Sequence, residues 1–138
     1  MSKLFVDTNV MIRLIIKDDF SKLETLTKLI KKVENGEFTL VIPTIVIAEC
    51  CWLLKSYYHL DKQQISEYII AILESDHVEA EENIVTEALR IFSEKNVDFA
   101  DALLSVKVRN SFPLLTWDQK DFKKLNCEYF KPEDIVES

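Results

Sequence analysis

The sequence predicts an α/β fold with a mainly parallel sheet, and three observations carry that expectation. Short apolar runs of strand length alternate with stretches whose apolar residues recur at helical spacing, the pattern of strands joined by helical crossovers. The chain has 138 residues, close to the usual size of one domain and long enough to bury one sizeable core. It carries no internal repeat, low-complexity tract or Pro/Gly/Ser-rich linker, so a single domain over residues 1–138 is expected.

Taken in order, Lys3 to Val6 reads as a short buried strand, and Val10, Met11, Leu14 and Ile15 then fall on one helical face. A second helix is expected over Ser21 to Val33, where Leu23, Leu26, Leu29, Ile30 and Val33 share a face and Asn35-Gly36 closes the end. Phe38 to Ile42 is a β-rich run ended by Pro43, and Thr44 opens a long apolar helix reaching about Tyr58. Asp61 with Gln64 has the spacing of a capping box for a helix to about Glu74. Glu82 to Lys95 is another amphipathic stretch and Asp98 to Arg109 the next helix. Pro113 to Thr116 reads as a strand, Asp118 to Leu125 as a short helical turn, and Glu128 to Phe130 as a last strand.

Composition narrows the class: 48% hydrophobic and 30% charged residues is an ordinary soluble mixture. No run approaches the roughly 20 consecutive apolar residues that cross a bilayer, and no secretory leader pattern begins the chain, so a cytoplasmic protein is expected. Three cysteines, Cys50, Cys51 and Cys127, form neither a metal-type pair nor a cysteine/histidine couple, and read as small core residues in a reducing compartment. One glycine excludes glycine-rich phosphate loops. His59 and His77 are each solitary and read as surface or capping residues. Trp52, Tyr57 and Tyr58 read first as core or dimer interface and second as a platform for stacking bases.

The chemistry-bearing residues are acids in unusual places. Parallel sheets bind ligands beyond the carboxyl ends of their strands, and two acids stand there. Asp7 follows Leu4-Phe5-Val6, and Asp118 follows Leu114-Leu115-Thr116 with only Trp117 between, so both should emerge on one rim. Asp7 would also cap the following helix, and taken alone that role is the stronger reading. Glu49 interrupts the run Ile45 to Leu54; a carboxylate buried there needs a lysine or arginine, a hydrogen-bond network or a metal. Asp98 and Asp101 lie three apart among apolar neighbours, with Asp98 better placed to cap the helix and Asp101 facing inward. Carboxylates gathered without histidine or cysteine make a hard-oxygen site suited to Mg2+ or Mn2+, which serve phosphoryl chemistry.

The net charge of −7 would by itself argue against a nucleic-acid partner. If Asp7, Glu49, Asp98, Asp101, Asp118 and Asp121 converge on cations they account for six of those charges, and −7 plus 6 leaves about −1 for the rest. Lys28, Lys31 and Lys32, and Lys107, Arg109, Lys120, Lys123 and Lys124, read as solvated faces ahead of an RNA track.

Four segments in order resemble the PIN-domain ribonucleases, and within them the VapC-type toxins of toxin/antitoxin modules. They are Phe5-Val6-Asp7-Thr8-Asn9-Val10, Ile42-Pro43 to Ile47-Ala48-Glu49-Cys50, Asp98-Phe99-Ala100-Asp101-Ala102-Leu103, and Leu115-Thr116-Trp117-Asp118-Gln119-Lys120-Asp121-Phe122. The resemblance spans nearly the whole chain. It implies a three-layer α/β/α sandwich with an acidic groove at the strand ends, in which Asp7, Glu49, Asp101 and Asp118 are the catalytic, metal-binding acids. Asp98, Asp121, Asn9 and Thr116 are implied as supporting residues. It implies metal-dependent endoribonuclease activity on RNA with Mg2+ or Mn2+, a homodimer, and a cognate antitoxin whose tail enters the groove. The chain departs from many relatives at Trp117 and at Cys51-Trp52, positions that concern packing more than chemistry.

Two other readings of the acids fit the sequence less well. A receiver or aspartyl-phosphatase domain also gathers acids at strand ends, but such phosphatases need a second Asp where this chain has Asn9, and the receiver lysine has no counterpart. A catalytically silent PIN scaffold serving as a binding module would be expected to have lost one or more acids, and every one is present here.

Overall fold

A computed structural model describes residues 2–137 of the chain. Its residues cluster into two compact units, Met1–Asn83 and Ile84–Ser138.

The first unit is built on three parallel strands in the order β1 (Ser2–Phe5), β2 (Phe38–Ile42), β3 (Val78–Ala80). Leu4 faces Leu40 across the first pair and Leu40 faces Val78 across the second. Two helices join each successive pair of strands. α1 (Thr8–Ile15) and α2 (Phe20–Glu34) lie between β1 and β2; α3 (Thr44–Ser56) and α4 (Lys62–Leu73) lie between β2 and β3. The core is made by Met11, Ile42, Ile47, Leu54, Ile65 and Ile69, all inaccessible to solvent or nearly so. Burying each such side chain contributes about 1.5–3 kcal/mol, which is why these helices hold although few are long enough to stand alone.

Local chemistry fixes the ends. Asp61 and Gln64 form the reciprocal capping box at the start of α4, with the Gln64 N–H donating to Asp61 Oδ1 at 2.8 Å. After α2 the Gly36 N–H donates to the Val33 carbonyl and the Glu37 N–H to the Lys32 carbonyl, closing a Schellman turn in which Gly36 takes φ 78°. At α3 the Thr44 N–H is taken by Glu81 Oε1 at 3.2 Å.

The second unit pairs α5 (Val85–Glu94) with α6 (Phe99–Arg109) through Phe92 and Phe99, whose rings meet edge to face 6.4 Å apart. A short parallel pair, β4 (Leu114–Leu115) and β5 (Tyr129–Phe130), is joined by α7 (Gln119–Lys124), and α8 (Pro132–Val136) follows. Ala88, Leu89, Val106, Phe122 and Leu125 are buried.

All strand pairs are parallel, as the alternation of runs predicts. The sequence misses β3 and α8, and it misjudges β1. That strand, at one edge of its sheet, is exposed along its length, Phe5 at 72%; burial begins at Val6. No helix of the described residues is long and apolar enough to cross a membrane.

Candidate active site

In the first unit the chain turns sharply where β1 ends. Asp7 is extended (φ −83°, ψ 163°) and caps α1, its Oδ1 accepting the Thr8 N–H at 2.7 Å while its own carbonyl accepts from Val10 and Met11. α1 packs against α3, and the Thr8 hydroxyl donates to Glu49 Oε2 at 2.7 Å. Thr8 thus touches both acids, one through its backbone and one through its side chain. Asn9 lies exposed in the next position.

Glu49 corrects an expectation. It is exposed, and its partner is a hydroxyl rather than a lysine or arginine. α3 buries Val46, Ile47, Cys50, Cys51 and Leu54, but Ile45 and Trp52 on its other side are each 65% exposed, so the apolar run surrounds the helix and does not mark a buried segment. Trp52 and Tyr57 are likewise exposed, against the reading of them as core, while Tyr58 is half-buried with its ring edge-to-face on Tyr57.

In the second unit Asp98 takes the N-cap position at the start of α6, without a side-chain cap bond. Asp101 stands in the first turn, half-buried. Asp118 caps α7 through the Asp121 N–H, 3.3 Å from its Oδ1, and the Asp118 N–H donates to the Thr116 hydroxyl at 2.9 Å. Thr116 therefore shapes the turn that presents Asp118. The structure brings Asp101, Asp118 and Asp121 together, with one carboxylate oxygen from each within 4.8 Å of the others. Lys124 reaches Asp121 at 3.8 Å. Burial, and then the charges of Asp121, Asp98 and Asp118, hold the Asp101 carboxyl above its ordinary range. Three converging oxygens whose repulsion is only partly offset fit a hard divalent cation such as Mg2+ or Mn2+.

The remaining titratable candidates stand aside. Burial pushes the Cys50 thiol up to about 12, with Glu49 adding to it; Cys51 and Cys127 are also raised by burial, so none is a ready nucleophile. His59 (φ 59°) and His77 (φ 62°) are exposed residues in left-handed turns, in keeping with their non-catalytic reading. Thr8 is the site residue that sequence reasoning passed over, and its only signal was its place between Asp7 and Asn9.

The chain belongs to the PIN domain family, whose model matches residues 4–126. It is also similar to a protein of Aquifex aeolicus (strain VF5) named VapC ribonuclease, 26% identical over 129 residues, which cover 92% of this chain and 95% of that protein. No solved structure matches the chain.

Proposed function

We propose that this chain is a metal-dependent endoribonuclease that hydrolyses RNA phosphodiesters, acting as the toxin of a toxin/antitoxin pair. In this reading residues 1–138 serve as one cytoplasmic nuclease domain, acting as a homodimer and restrained by a cognate antitoxin. Asp7, Glu49, Asp101 and Asp118 are the metal-binding acids, and Asp98, Asp121, Asn9 and Thr116 support them. The observation that carries the reading is the gathering of Asp101, Asp118 and Asp121 within 4.8 Å in a member of the PIN family. The Aquifex relative, a ribonuclease by name, supports RNA as the substrate.

A bound Mg2+ or Mn2+ would supply a Lewis acid for a phosphate oxygen and lower the pKa of attacking water. The chain's own part is orientation. Thr8 fixes the Glu49 carboxylate, the Asp121 N–H fixes that of Asp118, and Thr116 holds the turn behind it. Oxygen donors held in advance avoid reorganisation during the reaction.

The test is cleavage of a mixed RNA pool, and of a matching DNA pool, by protein freed of any co-purified inhibitor, with Mg2+, Mn2+ or EDTA. Metal-dependent RNA cutting is expected, reduced on the order of 10²–10³-fold by Asp7→Asn and by Asp101→Asn, the loss that follows removal of one group stabilising transition-state charge. Undiminished cutting in EDTA, or full activity of a folded Asp7→Asn protein, overturns the assignment.

A further inference from the structure

A cavity of about 360 Å³ opens beside Asp7 in the first unit, and its wall is chemically mixed. Asn9 and Arg13 lie one helical turn apart on α1, Lys22 comes from the first turn of α2, and Leu53 and Tyr58 come from the end of α3 and the turn after it. A neighbouring cavity of about 430 Å³ is lined by Glu49, Trp52 and Leu53. Leu53 belongs to both walls, and the Thr8–Glu49 hydrogen bond links Thr8 of one to Glu49 of the other. Asp7 therefore shares one cavity with two cations and a tyrosine, and Glu49 shares the other with an exposed indole.

An acidic centre explains a metal but not how a polyanion stays on a chain of net charge −7. The two cations meet that need locally. Arg13 is tethered by Asp18, which occupies part of a guanidinium with five N–H donors; Lys22, its side chain 63% exposed, lies 4.0 Å from Asp19. Both heads are steadied near the acids with donors to spare. Flat aromatic faces beside a cationic edge are the means by which proteins hold single-stranded nucleic acid, backbone on the cations and bases on the rings.

Resting on the ribonuclease reading, we propose that this groove seats the single-stranded RNA flanking the bond that is cut. Arg13 and Lys22 contact backbone phosphates, Tyr58 stacks the base beside them, and Trp52 stacks a base beside Glu49. These are positioning residues for the substrate, outside the set of metal-binding acids.

The test is binding of a 5′-fluorescein single-stranded RNA dodecamer of random sequence, followed by anisotropy with Ca2+ in place of Mg2+. Tyr58→Ala and Trp52→Ala should each weaken binding about 5- to 100-fold, the range for loss of one stacked base, while Tyr58→Phe stays near wild type. Lys22→Gln should weaken binding and lessen the slope of log affinity against log salt by about 0.7, the share of one phosphate on a single strand. Mn2+ affinity measured by calorimetry should be unchanged in all four. Unchanged RNA binding in Lys22→Gln and Tyr58→Ala overturns the groove, as does wild-type protein that binds no RNA. A Trp52→Ala protein that dissociates into smaller species yet binds RNA normally gives that face to a second copy of the chain, and overturns its assignment to RNA. The two readings fail separately: cutting with indifferent groove variants leaves the nuclease standing, and groove-dependent binding without cutting leaves the RNA seat standing.

Discussion

The two units treat their carboxylates in opposite ways. In the first, Asp7 and Glu49 are exposed, and each is given a donor by the single residue Thr8. In the second, three aspartates crowd within 4.8 Å, and Asp101 among them is held above its ordinary pKa by burial and its neighbours' charges. The first arrangement has its carboxylates oriented by hydrogen bonds; the second holds like charges close together with their repulsion only partly offset.

The sharpest way to break that contrast is Thr8→Val, which removes the hydroxyl holding Glu49 and keeps the side chain's shape. Loss of a partner that orients a ligand commonly costs about 10–100-fold in metal affinity or activity, and that fall in kcat/KM is expected, with recovery in Thr8→Ser. A valine variant as active as wild type would mean that Glu49 needs no orienting.

Next in size is the repulsion in the second unit, where the sign of the pH effect can be worked out. Because the folded pKa of Asp101 lies above the ordinary 3.8, its contribution to stability is fully present below that value. It is lost as pH rises through the raised folded pKa. In EDTA, Asp101→Asn should therefore raise the unfolding free energy near neutral pH by about 0.5–1 kcal/mol, small because solvent screens a part-exposed carboxylate. With Mn2+ the order should reverse, since the cation binds the aspartate form. Urea midpoints taken across pH in both conditions decide it, and identical profiles for the two proteins would remove the repulsion from the account.

The smallest effect on activity is expected of a control remote from the acids. Asp61→Ala breaks the capping box of α4 and should cost about 1 kcal/mol in urea unfolding, leaving cleavage unaltered. A loss of activity there would mean that α4 is coupled to the site.

Much of this was legible in the chain because local chemistry was explicit. The capping box at Asp61 and Gln64, the turn at Asn35-Gly36 and the strand Phe38–Ile42 appear where residue type and spacing place them. β3 was hidden because Val78-Glu79-Ala80 is too short to display a period, and its strand state comes from its pairing with β2. α8 was hidden for the same reason, with five residues and none buried. Among the acids, Asp118 was marked by its strand-end position and Asp101 by its place among apolar neighbours, while Asp121 entered only through the family resemblance. The exposure of Glu49 was not legible, because hydropathy along α3 cannot tell which of its apolar faces is left uncovered. Thr8 went unseen because a hydroxyl bond to a residue forty-one positions away leaves no trace in local pattern.

The chain's two tryptophans are placed to make this contrast visible in solution. Trp117 immediately precedes Asp118, is 71% exposed and donates its indole N–H to Glu133 at 2.7 Å; Trp52 stands one turn beyond Glu49 on α3. Each acidic group therefore carries its own fluorophore. Replacing one indole with phenylalanine leaves emission that follows a single unit, so a titration with a quenching ion such as Mn2+ can be read as two separate optical signals from one polypeptide.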